Sequence, residues 1–283
     1  MVDMSPAGFT QMGIQVVNKD EILKVENLTK YYISGYMFTN KVLGAENVSF
    51  SLKKGEVLSL VGESGSGKST IANLILRLFK PTEGKIFLDG KDAFSFSKKD
   101  YWKRVQAIFQ DPYSTFNNYY VVDRPLMDSF DLLENSNKTY SKTERKEIIC
   151  STLETIGMNP DEILGRYPHQ TSGGEMQRLL IARTLIIGPD VLVADEPTSM
   201  TDASTRVGIL NELLRLKEKR KMAVLFITHD VGQAYYISDR AAVMKDGRIV
   251  EIGPAEEVFF NPEHPYTQNL IASVPKVHEK WNI

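Results

Sequence analysis

Hydrophobic and polar positions first fall into a regular pattern at Ile22. Residues 22–28 read as a strand and are followed by Thr29-Lys30-Tyr31-Tyr32 and a Gly-containing excursion around Gly35. Residues 48–52 predict a second strand. Lys53-Lys54-Gly55-Glu56 then turns the chain into residues 57–61, an unbroken apolar run expected of a buried parallel strand. After Lys68 the spacing becomes helical, with Ile71, Leu74, Ile75 and Leu78 on one face and a stop expected near Lys80-Pro81. Residues 85–90 give a strand and turn able to rejoin the first β-layer, and residues 105–110 a strand ending on Gln110.

From residue 112 the pattern becomes polar and helical. One helix is expected from Pro125 to about Glu134, then the polar loop Asn135-Ser136-Asn137. A second, over residues 142–156, has Ile148, Ile149, Leu153 and Ile156 on its apolar face. Strand alternation resumes at residues 191–194, continues through a helix over residues 203–219 and a strand over residues 223–227, and leads to a short helix carrying Tyr235 and Tyr236. Residues 241–250 read as a hairpin about Asp246-Gly247, and two helical stretches follow. Consecutive strands without helices imply an antiparallel β-subdomain, whereas strand–helix–strand implies a parallel sheet covered on both faces.

The chemistry begins where the first parallel strand meets its helix, at Gly62, Gly65, Gly67, Lys68 and Ser69. Glycines there let successive backbone N–H groups and the helix N-terminus converge on phosphate oxygens. Lys68 adds a point charge for the β- and γ-phosphates, and Ser69 offers a hydroxyl to Mg²⁺. Asp195 and Glu196 close another buried strand, where Asp195 asks for Mg²⁺ and Glu196 is free to polarise a water attacking the γ-phosphate. Gln110 can reach the metal or that water, and His229 can hydrogen-bond the γ-phosphate. Ser172, Gly173 and Gly174 open a helix that stops at Gly188-Pro189 and make a second anion site without a nucleotide of its own. Two chains arranged head to tail, each offering this site to the other's nucleotide, resolve the mismatch.

Composition narrows the picture further. A formal net charge of −2 and no basic block give no support for a nucleic-acid partner. Cys150 is the one cysteine, so an internal disulfide or a thiolate metal cluster is excluded; its neighbours Ile148 and Ile149 suggest a core thiol. No run reaches the length of about 18 apolar residues needed to cross a bilayer, and no secretory leader opens the chain, so it is expected in the cytosol unless a partner holds it to a membrane.

Taken in this order, residues 62–70, Gln110, Ser172-Gly173-Gly174, residues 191–197 and His229 resemble the nucleotide-binding subunit of ATP-binding cassette transporters. Phe109-Gln110-Asp111-Pro112-Tyr113-Ser114 and His264-Pro265-Tyr266-Thr267, followed by Val274-Pro275, are similar to the oligopeptide/dipeptide importer ATPases. The resemblance implies an α/β, RecA-like P-loop NTPase core with an N-terminal antiparallel β-subdomain and an inserted helical subdomain at about 112–187. The cassette would span 21–271, with tails at 1–20 and 272–283. It implies ATP and Mg²⁺ as ligands, with Gly62, Ser64, Gly65, Ser66, Gly67, Lys68, Ser69 and Thr70 as the Walker A loop and Tyr32 stacking on adenine. Ser172, Gly173, Gly174 and Glu175 form the signature, where Glu175 replaces a glutamine and faces the ribose. Ser69, Gln110 and Asp195 hold the metal; Glu196, His229 and Gln110 are catalytic. The implied partners are a second such ATPase, identical or related, two membrane permease subunits and, indirectly, an extracytoplasmic solute-binding protein. The implied place is the cytoplasmic face of the cell membrane. Oligosaccharide and nickel importers use similar ATPases; a soluble cassette ATPase or a non-hydrolysing ATP-binding module are the competing classes.

Overall fold

The computed structural model describes residues 20–34, 40–134 and 138–273. The excursion around Gly35, the loop Asn135-Ser136-Asn137, the tail up to residue 19 and the end from residue 274 lie outside the described residues. The described residues open with β1 (Glu21–Ser34) and β2 (Asn40–Lys53), then β3 (Val57–Val61) and α1 (Lys68–Ile75). β4 (Glu83–Leu88), β5 (Lys91–Asp92), α2 (Lys98–Arg104) and β6 (Val105–Ile108) follow. The helical stretch comprises α3 (Asp123–Asp128), α4 (Phe130–Leu133), α5 (Lys142–Thr155), α6 (Pro160–Ile163) and α7 (Gly173–Ile187). Alternation then returns with β7 (Val191–Asp195), α8 (Ala203–Arg220), β8 (Ala223–Thr228) and α9 (Val231–Ile237). β9 (Arg240–Lys245), β10 (Arg248–Pro254), α10 (Ala255–Phe260) and α11 (Pro265–Ala272) complete it.

Two sheets result. β2-β1-β4-β5 is antiparallel throughout: β1 and β2 are joined without a helix, and β4 rejoins them after β3 and α1. The second runs β10-β9-β3-β8-β7-β6, parallel except for the β9–β10 hairpin. Its central strands are apolar on both faces, and period-two alternation sends their side chains to opposite cores. Leu58, Leu60, Val191, Val193, Leu225 and Ile227 meet α1 and the antiparallel sheet. Leu192, Ala194, Val224 and Phe226 meet the helical layer built on α5, α7 and α8.

Several expectations are corrected. β1 and β2 run well beyond residues 22–28 and 48–52, because register shifts along their ladder hide the alternation from a window of a few residues. α1 stops at Ile75: Arg77 turns left-handed (φ 57°), the N–H groups of Leu78 and Phe79 both return to the Asn73 carbonyl, and Leu78 is half exposed rather than on the buried face. β6 ends at Ile108, leaving Gln110 in the following loop. The expected helix from Pro125 breaks at Ser129 into α3 and α4, the serine hydroxyl bonding the Pro125 carbonyl. Cys150 is half-buried on α5, outside the core that Ile149 joins.

The hairpin forms as expected, with Asp246 and Gly247 both left-handed (φ 47° and 81°). Its tip does not point freely into solvent. The Gly247 N–H donates to Ser66 in the phosphate loop (2.9 Å), and the Gly247 carbonyl accepts from Glu46 on β2 (2.8 Å).

Candidate functional site

Parallel register brings the site together. Val61 pairs with Thr228, Asp195 with Ile227, and Ile108 with Ala194, so Gly62, His229, Glu196 and Gln110 all leave the sheet at its carboxyl edge. There a cleft of about 740 Å³ is walled by Tyr32, Ser64, Lys68, Gln110, Glu196 and His229, among others.

The phosphate loop owes its shape to backbone that only glycine takes without strain. At Gly67 (φ 106°) a Cβ would lie 2.4 Å from the Gly44 carbonyl; at Gly62 (φ 155°) it would lie 2.2 Å from that of Met244. Lys68 begins α1 and is buried. Its Nζ donates to the carbonyls of Gly62 (2.7 Å) and Glu63 (2.8 Å) and to Ser66 Oγ (3.3 Å). Burial pulls its pKa below the ordinary lysine value, against the opposing charges of Glu196, Asp195 and Glu63.

Asp195 is the complement. Burial and then the neighbouring Glu196 charge push its carboxyl up, while Ser69, within hydrogen-bonding reach, and Lys68 pull it down. Glu196 has a left-handed backbone (φ 46°), its N–H held by the Ile227 carbonyl (2.9 Å), and its Oε1 meets His229 Nδ1 at 2.7 Å. The strained backbone aims this carboxylate along the cleft, beside an imidazole that is itself largely exposed. Ser69 and Gln110 line the cleft and Asp195, within reach of Ser69, sits behind the lining; hydroxyl, carboxylate and amide oxygens would together suit a hard cation such as Mg²⁺. No group of three His, Cys, Asp or Glu side chains able to hold a metal occurs among the described residues. A cation here therefore depends on substrate or water oxygens as well.

Tyr32 lies at the cleft wall, edge-on to Phe79 (5.9 Å), with its hydroxyl on Thr70 Oγ1 (3.3 Å). Ser66 is buried behind the loop, bonded to Lys68, rather than in the lining. The Ser172 group is built elsewhere. It does not line this cleft among the described residues. Ser172 caps α7 in a reciprocal box: its Oγ accepts the Glu175 N–H (3.3 Å) and its own N–H donates to Glu175 Oε2 (2.7 Å). That backbone hydrogen bond, with Arg166 3.7 Å away, holds the Glu175 carboxyl below its usual range. Ser172-x-x-Glu175 is thus a legible capping signature. Two other contributors to the site had no local signal. Leu270 of α11 lines the cleft, and the Tyr266 hydroxyl accepts the N–H of Glu63 (3.2 Å). Both depend on a contact across some two hundred residues.

Comparison with known proteins gives the same direction. The family described as "ABC transporter" matches residues 45–199, and that described as "Oligopeptide/dipeptide transporter, C-terminal region" matches residues 250–283. The chain is 39% identical to the oligopeptide transport ATP-binding protein AppF of Bacillus subtilis, over 94% of this chain and 82% of that one. It is 38% identical to the oligopeptide transport ATP-binding protein OppF of Streptococcus mutans, over 92% and 83%. Its fold is similar to a dimeric post-hydrolysis state of the ATP-binding cassette MJ0796 bound to ADP and Pi, with TM-score 0.73 and 28% identity over 83% of this chain and 99% of that one. It is also similar to cbiO1 of Clostridium perfringens, part of the ABC transporter complex cbiONQ, with TM-score 0.71 and 27% identity over 86% and 92%. Phosphate loop, acidic strand end and C-terminal region therefore carry one conclusion: the chain belongs to the ABC transporter family, among the ATP-binding subunits of its oligopeptide and dipeptide branch.

Proposed function

We propose that this chain hydrolyses ATP as the motor subunit of an oligopeptide or dipeptide importer. The observation that carries the reading is the gathering of Lys68, Gln110, Glu196 and His229 around one cleft, on a chain whose relatives are peptide-transport ATP-binding proteins. Substrate phosphates would be received by the loop N–H groups and by Lys68, which exchanges its carbonyl partners for phosphate oxygens. Glu196 polarises the attacking water while His229, hydrogen-bonded to it, holds the carboxylate and faces the γ-phosphate. Tyr32 offers its ring to the adenine. Bound Mg²⁺, held by Ser69, Asp195 and Gln110, would neutralise charge on the phosphate oxygens.

The Ser172–Glu175 turn completes the nucleotide site of a second ATPase subunit, identical or related, packed head to tail. The similarity to a dimeric cassette supports this arrangement. Residues 112–187 form the inserted helical subdomain that passes closure to two permease subunits, with the solute-binding protein acting through them. A groove of about 510 Å³, walled by Trp102, Phe116, Tyr120, Arg124 and Arg183, suits that contact. No helix among the described residues is long and apolar enough to cross a membrane, so attachment at the cytoplasmic face would come through these subunits.

The test is ATP turnover by the purified chain beside Glu196→Gln, with self-association followed by sedimentation in ATP and Mg²⁺. Loss of an acid–base group predicts a fall in kcat of about 10²-fold or more, with the variant accumulating as an ATP-bound dimer. A variant that turns over at the wild-type rate would remove Glu196 from the mechanism.

A further inference from the structure

The C-terminal helix reaches back to the phosphate loop. Its start is firmly held: the Glu251 carboxylate on β10 accepts the N–H groups of Glu263 (2.9 Å) and His264 (3.1 Å), and His264 Nδ1 caps α11 by accepting the Tyr266 N–H (3.1 Å). Tyr266 is thereby fixed with its ring in the core that includes Val61 and Val243, and Lys245 Nζ sits 4.8 Å over its face. Its hydroxyl accepts the Glu63 N–H at 3.2 Å. Glu63 directly follows Gly62 in the loop, and its carbonyl is one of the acceptors that orient Lys68 Nζ. One turn further along α11, on the face that carries Tyr266, Leu270 enters the cleft wall.

We propose that Tyr266 is a positioning residue for nucleotide binding, setting the start of the phosphate loop and the approach of Lys68 through its hydrogen bond to the Glu63 N–H. The inference rests on the ATPase reading of the cleft. It assigns to the region matched by the oligopeptide/dipeptide C-terminal family a part in holding the phosphate loop, which lies in the segment matched at residues 45–199. Because the hydroxyl acts on the loop and on no part of the nucleoside, its effect falls on the phosphate end of the ligand.

Tyr266→Phe removes the hydroxyl and keeps the buried ring. In titrations of the full chain with ATP and with inorganic tripolyphosphate, both affinities are expected to fall by the same factor, at most about fivefold, since one hydrogen bond already formed without ligand sets the ceiling. Amide exchange at Glu63 is expected to accelerate, and because the hydrogen bond is already present without ligand, the ligand-free unfolding temperature is expected to fall by a few degrees. A Tyr266→Phe protein that binds both ligands as the wild type does overturns the inference alone. So does a loss of affinity for ATP with none for tripolyphosphate, which would place the effect away from the phosphate end of the ligand. A wild type that binds neither ligand overturns the ATPase reading and this inference with it.

Discussion

Asp195 has its charge made expensive by the fold, and that expense is readable in solution. Burial and Glu196 raise its pKa above the ordinary carboxylate value, so the folded chain binds this proton more tightly than the unfolded one. Its contribution to ligand-free stability is therefore fully present below the ordinary carboxylate range, is lost as pH rises through the raised value, and stays lost at neutral pH. Asp195→Asn removes that loss. The expected outcome at pH 7 is a ligand-free unfolding midpoint raised by about 2 °C, together with collapse of Mg²⁺-dependent turnover. Calorimetry beside an ATPase assay checks it, and a lowered midpoint contradicts the electrostatic account. At this scale the phosphate loop and the acidic pair were legible, because glycine, lysine and paired carboxylates at strand ends have few structural uses. The Glu196–His229 hydrogen bond was not, since it requires knowing that β7 and β8 are neighbours. Tyr266 stood in a recognised motif, but its contact with Glu63 was hidden for the same reason at greater separation.

The N-terminus of α7 is the element on which the proposed dimer turns. Its own capping box takes the N–H groups of Ser172 and Glu175, with the Glu175 carboxyl held below its usual range beside them. Glu175→Gln keeps both hydrogen bonds and removes the charge. Losing a favourable charge at a helix N-terminus is worth about 0.5 kcal/mol, so the thermal midpoint should fall by about 1–2 °C. ATP-dependent association in sedimentation should stay at the wild-type level, as expected of a side chain that faces the partner's ribose and not its phosphates. Ser172→Ala removes the cap itself, at a cost of about 1 kcal/mol. It should weaken both stability and association, which separates the cap from the charge. Elements bounded by punctuation were the ones sequence foretold well: β3 between Gly55-Glu56 and Gly62, and α7 between Ser172 and Gly188. α2 and α6 went unforeseen because they are short and bury one residue each, Tyr101 and Ile163, too few to show a period.

For the molecule as a whole, the cleft draws on both sheets, on α1 and on α11, so a ligand bound there stabilises the assembly of all of them. ATP at about a hundred times its dissociation constant should add about 2.7 kcal/mol to the folded state. A rise of roughly 5–10 °C in the midpoint should follow. Scanning calorimetry of wild type and Lys68→Ala with and without ATP checks this, the variant being expected to show no shift. The Asp246-Gly247 hairpin tip has a different consequence. Such tips are where engineers usually splice an epitope or open a chain for circular permutation, since little depends on them. Here Gly247 ties the phosphate loop to the antiparallel sheet on either side. A peptide spliced between Asp246 and Gly247 should leave a folded chain that no longer holds nucleotide, so the turn most inviting to a protein engineer is the one to leave uncut.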